Sequence, residues 1–141
     1  EISYQMMPVT LRQLGLVPAM DDMLEKTLKP NNISFEFEAI HIDFRFPENI
    51  EVSLFRITQE LVNNVIKHSK AKHVSVVLRL QNNQITLIFE DDGQGFNLDS
   101  SKKGIGLNSL SSRVELVNGN IHFESNEPSG TIAMVRIPFK K

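Results

Sequence analysis

One helix-forming stretch, residues 54–68, constrains the fold more than any other part of the chain. Its apolar side chains recur three or four residues apart, at Leu54, Ile57, Leu61 and Val65. That spacing predicts a helix whose apolar stripe must pack on a core. Glu60, Asn64 and His68 follow one another at four-residue intervals and form a polar row along one flank of the stripe. The row is predicted at the rim of the core, half sheltered from water; a solvated helix edge is the alternative.

The composition limits the classes of protein to which this chain can belong. At 141 residues it is long enough for one domain. A net charge of −2 gives no electrostatic support for binding nucleic acid. The absence of cysteine excludes disulfides and thiolate zinc sites and fits a reducing cytosol. No stretch approaches the roughly eighteen apolar residues of a membrane span, and the start at Glu1 leads us to expect a piece of a longer protein.

The order of predicted elements indicates a sheet covered by helices. Residues 1–7 are predicted to be the tail of a preceding helix, and a helical period covers residues 16–28. Alternating apolar and polar side chains predict strands at residues 33–38 and 41–46. The polar row then lies on a helix running from about Ile50 to His68.

The second half is predicted as a hairpin turning at residues 81–84, a polar glycine-rich segment, a third helix and two more strands. These elements cover residues 74–89, 91–106, 107–117, 121–125 and 131–137. Strands and three helices mixed in this uneven order favour a sheet with helices on one face.

An acidic, glycine-containing motif, D-D-G-Q-G at residues 91–95, follows directly on the hairpin. Gly93 and Gly95 have no Cβ, which permits a sharp turn and the close approach of a flat ligand. Asp91, at the end of a buried strand, can accept a hydrogen bond from an exocyclic amine such as adenine N6 and would repel the corresponding carbonyl oxygen of guanine. A plain Asp-Gly turn is the alternative.

A second glycine motif, K-K-G-I-G-L at residues 102–107, ends a loop and begins a helix. Its glycines leave backbone N–H groups free to point at an anion, with the helix dipole adding to the attraction. Lys102 and Lys103 are candidates to close over phosphates, against the alternative of a solvated loop. Gly130 and Thr131 begin the last strand, where a hydroxyl can lie beside a bound ring or simply enter an edge strand.

Other nucleotide and catalytic signatures are missing. The sequence contains no Walker P-loop and no complete G-x-G-x-x-G, and the eukaryotic-type kinase motifs are absent. It also lacks G-x-S-x-G, a cysteine nucleophile and H-E-x-x-H. His41, His73 and His122 are predicted on strands without metal-ligand spacing and are interpreted as surface residues. A bound nucleotide must therefore use another scheme.

Four motifs in order resemble one family, the ATP-binding catalytic domain of bacterial two-component sensor histidine kinases. They are Glu60-x-x-x-Asn64 with Lys67-His68, Asp91-x-Gly93-x-Gly95, Gly104-x-Gly106-Leu107, and Gly130-Thr131. The resemblance runs from about Leu16 to Pro138 and is nearest to the nitrate-sensor and desaturase-sensor subfamily. It implies the Bergerat-type ATPase fold shared with gyrase B, large heat-shock chaperones and MutL. That fold is an α+β two-layer sandwich, a mixed, mostly antiparallel sheet covered on one face by about three helices.

The resemblance also implies roles for individual residues. Asn64 would hold Mg²⁺ through its side-chain oxygen, and Glu60 would order a metal-bound water or polarise the attacking imidazole. Lys67 and His68 would face the phosphates, with His68 joining Glu60 and Asn64 as catalytic residues. The adenine base would be read by Asp91 with Thr131. The remaining implied ATP-binding residues shape the base pocket or the lid: Gly93, Gly95, Phe96, Lys102, Lys103, Gly104, Ile105, Gly106 and Leu107.

The implied activity is transfer of the γ-phosphoryl group of ATP, with Mg²⁺, to a histidine that is not among the four histidines of this chain. In the family the acceptor lies on a preceding helical dimerisation domain, of which residues 1–12 would be the remnant and linker, leaving residues 13–141 as the catalytic domain. The implied partners are ATP, those helices and a response regulator, with no nucleic acid and no membrane contact. We expect a monomeric, cytoplasmic fragment of a homodimeric sensor, and poor autophosphorylation because the tether to the acceptor is missing.

Two alternatives stay open at this stage. A related ATPase or an anti-sigma-factor-type serine kinase of the same fold would pass the phosphoryl group to water or to a partner's serine. A degenerate interaction module would keep the fold without turnover, although its motifs would not need to stay intact.

Overall fold

A five-stranded mixed sheet forms one layer of the molecule. The computed structural model describes residues 8–94, 104–125 and 129–140, and of residues 104–108 it describes the backbone. The strands are β1 (Ser34–Ile40), β2 (His73–Gln81), β3 (Gln84–Asp91), β4 (Asn120–Ser125) and β5 (Thr131–Pro138). Their order across the sheet is β1-β2-β3-β5-β4. The β1–β2 pair is parallel and the other three pairs are antiparallel, as expected for a mixed, mostly antiparallel sheet.

Helices form the second layer. They are α1 (Val9–Leu14), α2 (Leu16–Leu28), α3 (Glu48–Asn64) and α4 (Gly104–Glu115), with a 3₁₀ turn at Lys29–Asn31. Directly after α3 the chain continues as one π-helical turn, Val65–Ser69. The central helix is α3, since α2 packs on one side of it towards β1 and α4 on the other side towards β4. The predicted α+β sandwich with helices on one face is confirmed.

The core lies between the two layers. The four residues of the predicted apolar stripe are 0–4% exposed, which confirms the helix and its buried face. Alternate strand residues are buried in the same core cluster as this stripe, namely Val74, Val76, Leu78, Ile85, Leu87, Phe89, Ala133, Val135 and Ile137. Their neighbours on the opposite face, such as Val77 and Ile88, keep partial exposure. One face of the sheet therefore packs against the core, and the other face is partly exposed.

The central hairpin fixes which residues meet at the end of the sheet. Asn82 and Asn83 both have positive φ, 57° and 60°, as a tight two-residue hairpin turn requires. This turn confirms the predicted hairpin and pairs Gln81 with Gln84. The register then places Asp91 opposite Val74 on one side and Thr131 on the other.

The strand predicted at residues 41–46 is wrong. This segment is irregular, and His41 lies in a bend with φ of 62° rather than on a strand. The backbone N–H of Phe46 donates to Glu51 at 3.0 Å instead of to a neighbouring strand. Two of its apolar side chains belong instead to an aromatic cluster, in which the rings of Phe44 and Phe46 lie 5.2 Å apart and the rings of Phe46 and Phe139 4.9 Å apart.

A short helix before residue 15 was not predicted. Its Leu11 is 1% exposed, so α1 packs on the core although it is only six residues long. Gly15, at φ of 98°, separates α1 from α2. Arg45 donates through Nη2 to the carbonyl oxygens of Leu11 and Arg12, at 3.2 and 3.4 Å. The predicted helical tail at residues 1–7 falls outside the described residues.

Candidate functional site

Three segments that are far apart in sequence meet at one end of the sheet: the end of α3 with its π-helical turn, the end of β3, and the start of β5. The loop after β3 is tied to the π-helical turn by Gln94, whose backbone N–H donates to Ser69 O at 2.6 Å and whose side-chain amide donates to His68 O at 2.8 Å. Two of the predicted motifs, on α3 and after β3, are thereby in direct contact.

Asp91 is a buried carboxylate at this junction. Asp91 is 6% exposed, and its Oδ1 accepts a hydrogen bond from Gly93 N at 2.8 Å. Burial raises the pKa of the Asp91 carboxyl above its ordinary value, although the hydrogen bonds from the Gly93 N–H and the Ser69 side chain act in the opposite direction. Burial of a carboxylate is unfavourable because its charge loses hydration, and buried carboxylates with a shifted pKa are typical of functional sites.

Asp91 lines a narrow recess between the two layers. The other lining residues are Leu61, Val65, Phe89, Phe123, Thr131 and Ala133. Its volume is about 10 Å³, roughly what one water molecule requires. A flat aromatic ring therefore needs a wider opening than these residues leave in this conformation.

Two glycines allow the backbone to come close at the site. A Cβ on Gly93 would overlap the carbonyl oxygen of Ser69, and a Cβ on Gly130 would overlap that of Asp91. Gly130 also has φ of 115°, which L side chains rarely adopt. Both positions therefore require glycine to bring the three segments together.

Glu60 is held by two residues of α4 that were not among the predicted site residues. Its Oε2 accepts hydrogen bonds from Ser109 Oγ at 2.9 Å and from Arg113 Nε at 2.6 Å. The only sequence signal for them was their spacing: they lie one turn apart on the predicted third helix, on the same face. One turn before Glu60, Arg56 is 8% exposed, and burial together with the charge of Arg113 lowers the pKa of its guanidinium.

Asn64 ends α3, half-buried, and its side chain makes no hydrogen bond to another described residue. Lys67 and His68 follow in the π-helical turn and are exposed. Because a π-helix turns through a smaller angle per residue, His68 does not take the position that an ideal α-helical row would give it. Thr131, the partner of Asp91 across the sheet, is 7% exposed.

The remaining predicted ATP-binding residues are less fully described. Gly95, Phe96, Lys102 and Lys103 lie outside the described residues. The structure begins α4 at Gly104, three residues before the predicted helix start, so the motif Gly104, Ile105, Gly106, Leu107 forms its first turn. A helix start at this motif is the arrangement that the anion-binding hypothesis needs.

The described residues contain no group of three or more His, Asp or Glu side chains that could hold a metal ion. A divalent cation at Asn64 would therefore depend on oxygen ligands from a bound phosphate and from water, as is usual for Mg²⁺. None of the described helices combines the length and the apolarity needed to cross a membrane.

Comparison with known proteins gives consistent results. Residues 49–141 match the family model described as "Histidine kinase-, DNA gyrase B-, and HSP90-like ATPase". The chain is 33% identical over 138 residues to the signal transduction histidine-protein kinase/phosphatase DegS of Brevibacillus brevis, covering 97% of this chain and 36% of that protein. It is 36% identical over 132 residues to the sensor histidine kinase LiaS of Bacillus subtilis, covering 93% of this chain and 36% of LiaS.

The fold is also that of a solved histidine kinase domain. The blue-light activated histidine kinase of Erythrobacter litoralis EL346 aligns with a TM-score of 0.68 at 18% identity, over 85% of this chain and 59% of that one. At this identity the likeness concerns the fold. The chain spans little more than a third of the length of the two curated relatives above.

Proposed function

The chain belongs to the histidine kinase-, DNA gyrase B- and HSP90-like ATPase family, and we propose that it binds Mg²⁺-ATP and donates the γ-phosphoryl group to a histidine of a sensor kinase. ATP use follows from the family. The names of the similar proteins, sensor histidine kinases, support the histidine kinase class over the ATPase and serine kinase alternatives.

The buried carboxylate of Asp91 is the observation that carries the proposal. In the proposed complex it accepts a hydrogen bond from adenine N6, with Thr131 beside it across the β3–β5 pair. Oδ1 accepts the Gly93 N–H and the carboxylate also accepts a hydrogen bond from the Ser69 side chain, but its two oxygens together have about four acceptor sites, so acceptor capacity is left for the base. Since the recess holds about one water molecule, the base enters only after the rim opens.

The Asn64 amide suits Mg²⁺ because its oxygen is half-sheltered and is not engaged by another described residue. When bound, Mg²⁺ would neutralise charge on the phosphates. Lys67 and His68, exposed on the adjoining turn, would bind the phosphates, and Glu60 would order a water or polarise the attacking imidazole. The lid residues, from Lys102 to Leu107, and Gly95 with Phe96 would complete the pocket.

The acceptor histidine is proposed to lie on a separate helical dimerisation domain, with residues 1–12 as remnant and linker and residues 13–141 as the catalytic domain. The full-length kinase would act as a homodimer and pass the phosphoryl group to a response regulator. Phosphoryl transfer of this kind depends mainly on positioning and charge neutralisation. The chain alone therefore has the ATP site without an acceptor at high effective concentration.

Calorimetric titration of the chain with Mg²⁺-ATP and with Mg²⁺-GTP tests the site. We expect saturable binding of ATP and much weaker binding of GTP, whose C6 carbonyl would meet the Asp91 carboxylate. No binding of ATP, or equal affinity for the two nucleotides, would contradict the proposal. Transfer from γ-labelled ATP to a histidine of the full-length protein, seen as acid-labile and base-stable label, tests the reaction itself.

A further inference from the structure

Two side chains on one face of α4 converge on a single oxygen atom of Glu60. Ser109 and Arg113, one helical turn apart, donate to Oε2 at 2.9 and 2.6 Å. Neither residue belongs to the motifs of the nucleotide site. The contacts cross from the helix that begins at the glycine motif to the helix that carries Asn64.

The environment of this pair makes it more than a surface contact. The side chain of Glu60 is 23% exposed and that of Arg113 is 36% exposed. Ionic hydrogen bonds of this length are among the stronger ones in proteins, and partial shelter limits screening by salt. With Oε2 held by two donors, the Glu60 carboxylate loses most of its rotational freedom. Its Oε1 makes no hydrogen bond to any other residue in the described ranges.

A second guanidinium lies close to this ion pair. Arg56 is buried on α3, and the charge of Arg113 contributes to lowering its pKa. Removing the Glu60 carboxylate would take away a negative charge next to two guanidinium groups, those of Arg56 and Arg113. The carboxylate thus has an electrostatic role in the folded chain whether or not ATP is bound.

We propose that Arg113 and Ser109 are positioning residues for Glu60, which hold Oε2 and leave Oε1 to order the water or polarise the attacking imidazole. The inference deepens the proposed function and rests on it, because it takes Glu60 as a catalytic carboxylate. It also connects the glycine motif to the reaction, since α4 begins at that motif and carries both Ser109 and Arg113.

A double-mutant cycle on phosphoryl transfer in the full-length protein tests the role. Glu60→Gln, Arg113→Gln and the double variant are compared in single-turnover rate and in ATP affinity. We expect Arg113→Gln to lower the rate by about tenfold or more, but by less than the roughly 10²–10⁴-fold that general acid–base catalysis as a whole contributes, with affinity changed less than about threefold. If Arg113 acts through Glu60, the double variant is no slower than Glu60→Gln alone. Rate losses that multiply would overturn the proposal.

Milder substitutions separate positioning from folding. Arg113→Lys keeps the charge and should restore part of the rate, and Ser109→Ala should reduce it less than Arg113→Gln does. Arg79→Gln, on the opposite face of the sheet, is the matched control and should leave the rate unchanged. The melting temperature of each variant is measured alongside. A rate loss in Arg113→Gln that follows stability alone, without rescue by lysine, would also overturn the role.

An activity-independent measurement uses the chain without nucleotide. In a ¹H–¹⁵N NMR spectrum, the Nε–H of Arg113 should exchange with solvent more slowly than that of Arg79, and Glu60→Gln should abolish the protection. Equal exchange of the two groups would show that the ion pair does not form, and the proposal would fall. Failure of the unmodified chain to bind Mg²⁺-ATP would instead contradict the proposed function, so the two failures are distinguishable.

Discussion

Asp91 and Thr131 are directly paired across the antiparallel β3–β5 ladder, and both residues are less than 10% exposed. The sheet therefore places a buried carboxylate and a buried hydroxyl residue side by side beneath the end of α3. Because the π-helical turn and the loop after β3 contact each other through Gln94, this pair also lies close to the helix that carries Asn64.

Replacement of Asp91 by asparagine should weaken ATP binding. The hydrogen bond to adenine N6 is charge-assisted, so its loss should cost about 1.5–3 kcal/mol, or roughly ten- to over a hundredfold in affinity. Calorimetric titration measures the change. Asp92→Asn removes the same charge one residue away, where the carboxylate accepts the backbone N–H groups of Lys72 and His73; it should keep most of the affinity. Unchanged binding in Asp91→Asn would remove Asp91 from the site.

Asp91 should also make stability depend on pH. Burial raises its folded-state pKa above the ordinary 3.8. The stability contributed by this group is therefore fully present below the unfolded pKa and is lost as pH rises through the folded pKa. The asparagine side chain of Asp91→Asn does not titrate. The free energy of unfolding of the unmodified chain should therefore fall, relative to that variant, as pH rises from the unfolded pKa of Asp91 through its folded pKa.

Urea unfolding of both chains without nucleotide, from about pH 3 upward, measures the difference. Comparing the two removes the contributions of the other titrating groups that they share. A difference that is constant with pH, or that favours the unmodified chain as pH rises, contradicts a raised pKa of the buried Asp91 carboxyl.

Asn64 should matter for the metal-dependent part of nucleotide binding. Asn64→Ala removes the proposed Mg²⁺ ligand, so the gain in ATP affinity on adding Mg²⁺ should largely disappear, whereas affinity in EDTA should stay within about threefold. Phosphoryl transfer by the full-length protein should fall further than either affinity. Asn63→Ala, at the exposed neighbouring position, serves as the control. Equal losses with and without Mg²⁺ would count against the assigned role.

Glu51 should contribute more to stability than its neighbours on the first turns of α3. Its carboxylate, 4% exposed, accepts from Arg45 Nη2 at 2.9 Å and from Phe46 N at 3.0 Å. Glu51→Ala leaves the buried Phe46 N–H without its partner, at a cost of about 1–3 kcal/mol in the free energy of unfolding.

Glu48→Ala provides the comparison for Glu51. Glu48 is exposed in the same first turn and loses only its favourable interaction with the helix dipole, less than about 1 kcal/mol. Arg45→Ala should destabilise the chain less than Glu51→Ala, since Arg45 is about half exposed. Chemical unfolding ranks the three variants; equal effects of Glu48→Ala and Glu51→Ala would contradict a structural role for the buried carboxylate.

Local pattern was sufficient for the elements with a strict period. The stripe on α3, the hairpin with its Asn82-Asn83 turn and the two final strands lie where the sequence predicts them. The strand predicted from the alternation at residues 41–46 was wrong, because a period of two shows only that side chains alternate between core and solvent. It does not show where the backbone N–H groups find acceptors, and at Phe46 the acceptor is Glu51.

The sequence by itself determined the family, the type of each long element and the order of the nucleotide motifs, because these depend on residue types at short spacing. Only the tertiary structure decided that Glu60 is held by Ser109 and Arg113, some fifty residues later in the chain. It also decided that Arg45 joins α1 to the start of α3, and that Asp91 lies opposite Thr131. Such contacts arise from strand register and helix packing, which bring distant residues together; the periodicity of one segment does not show which residue of another segment it contacts.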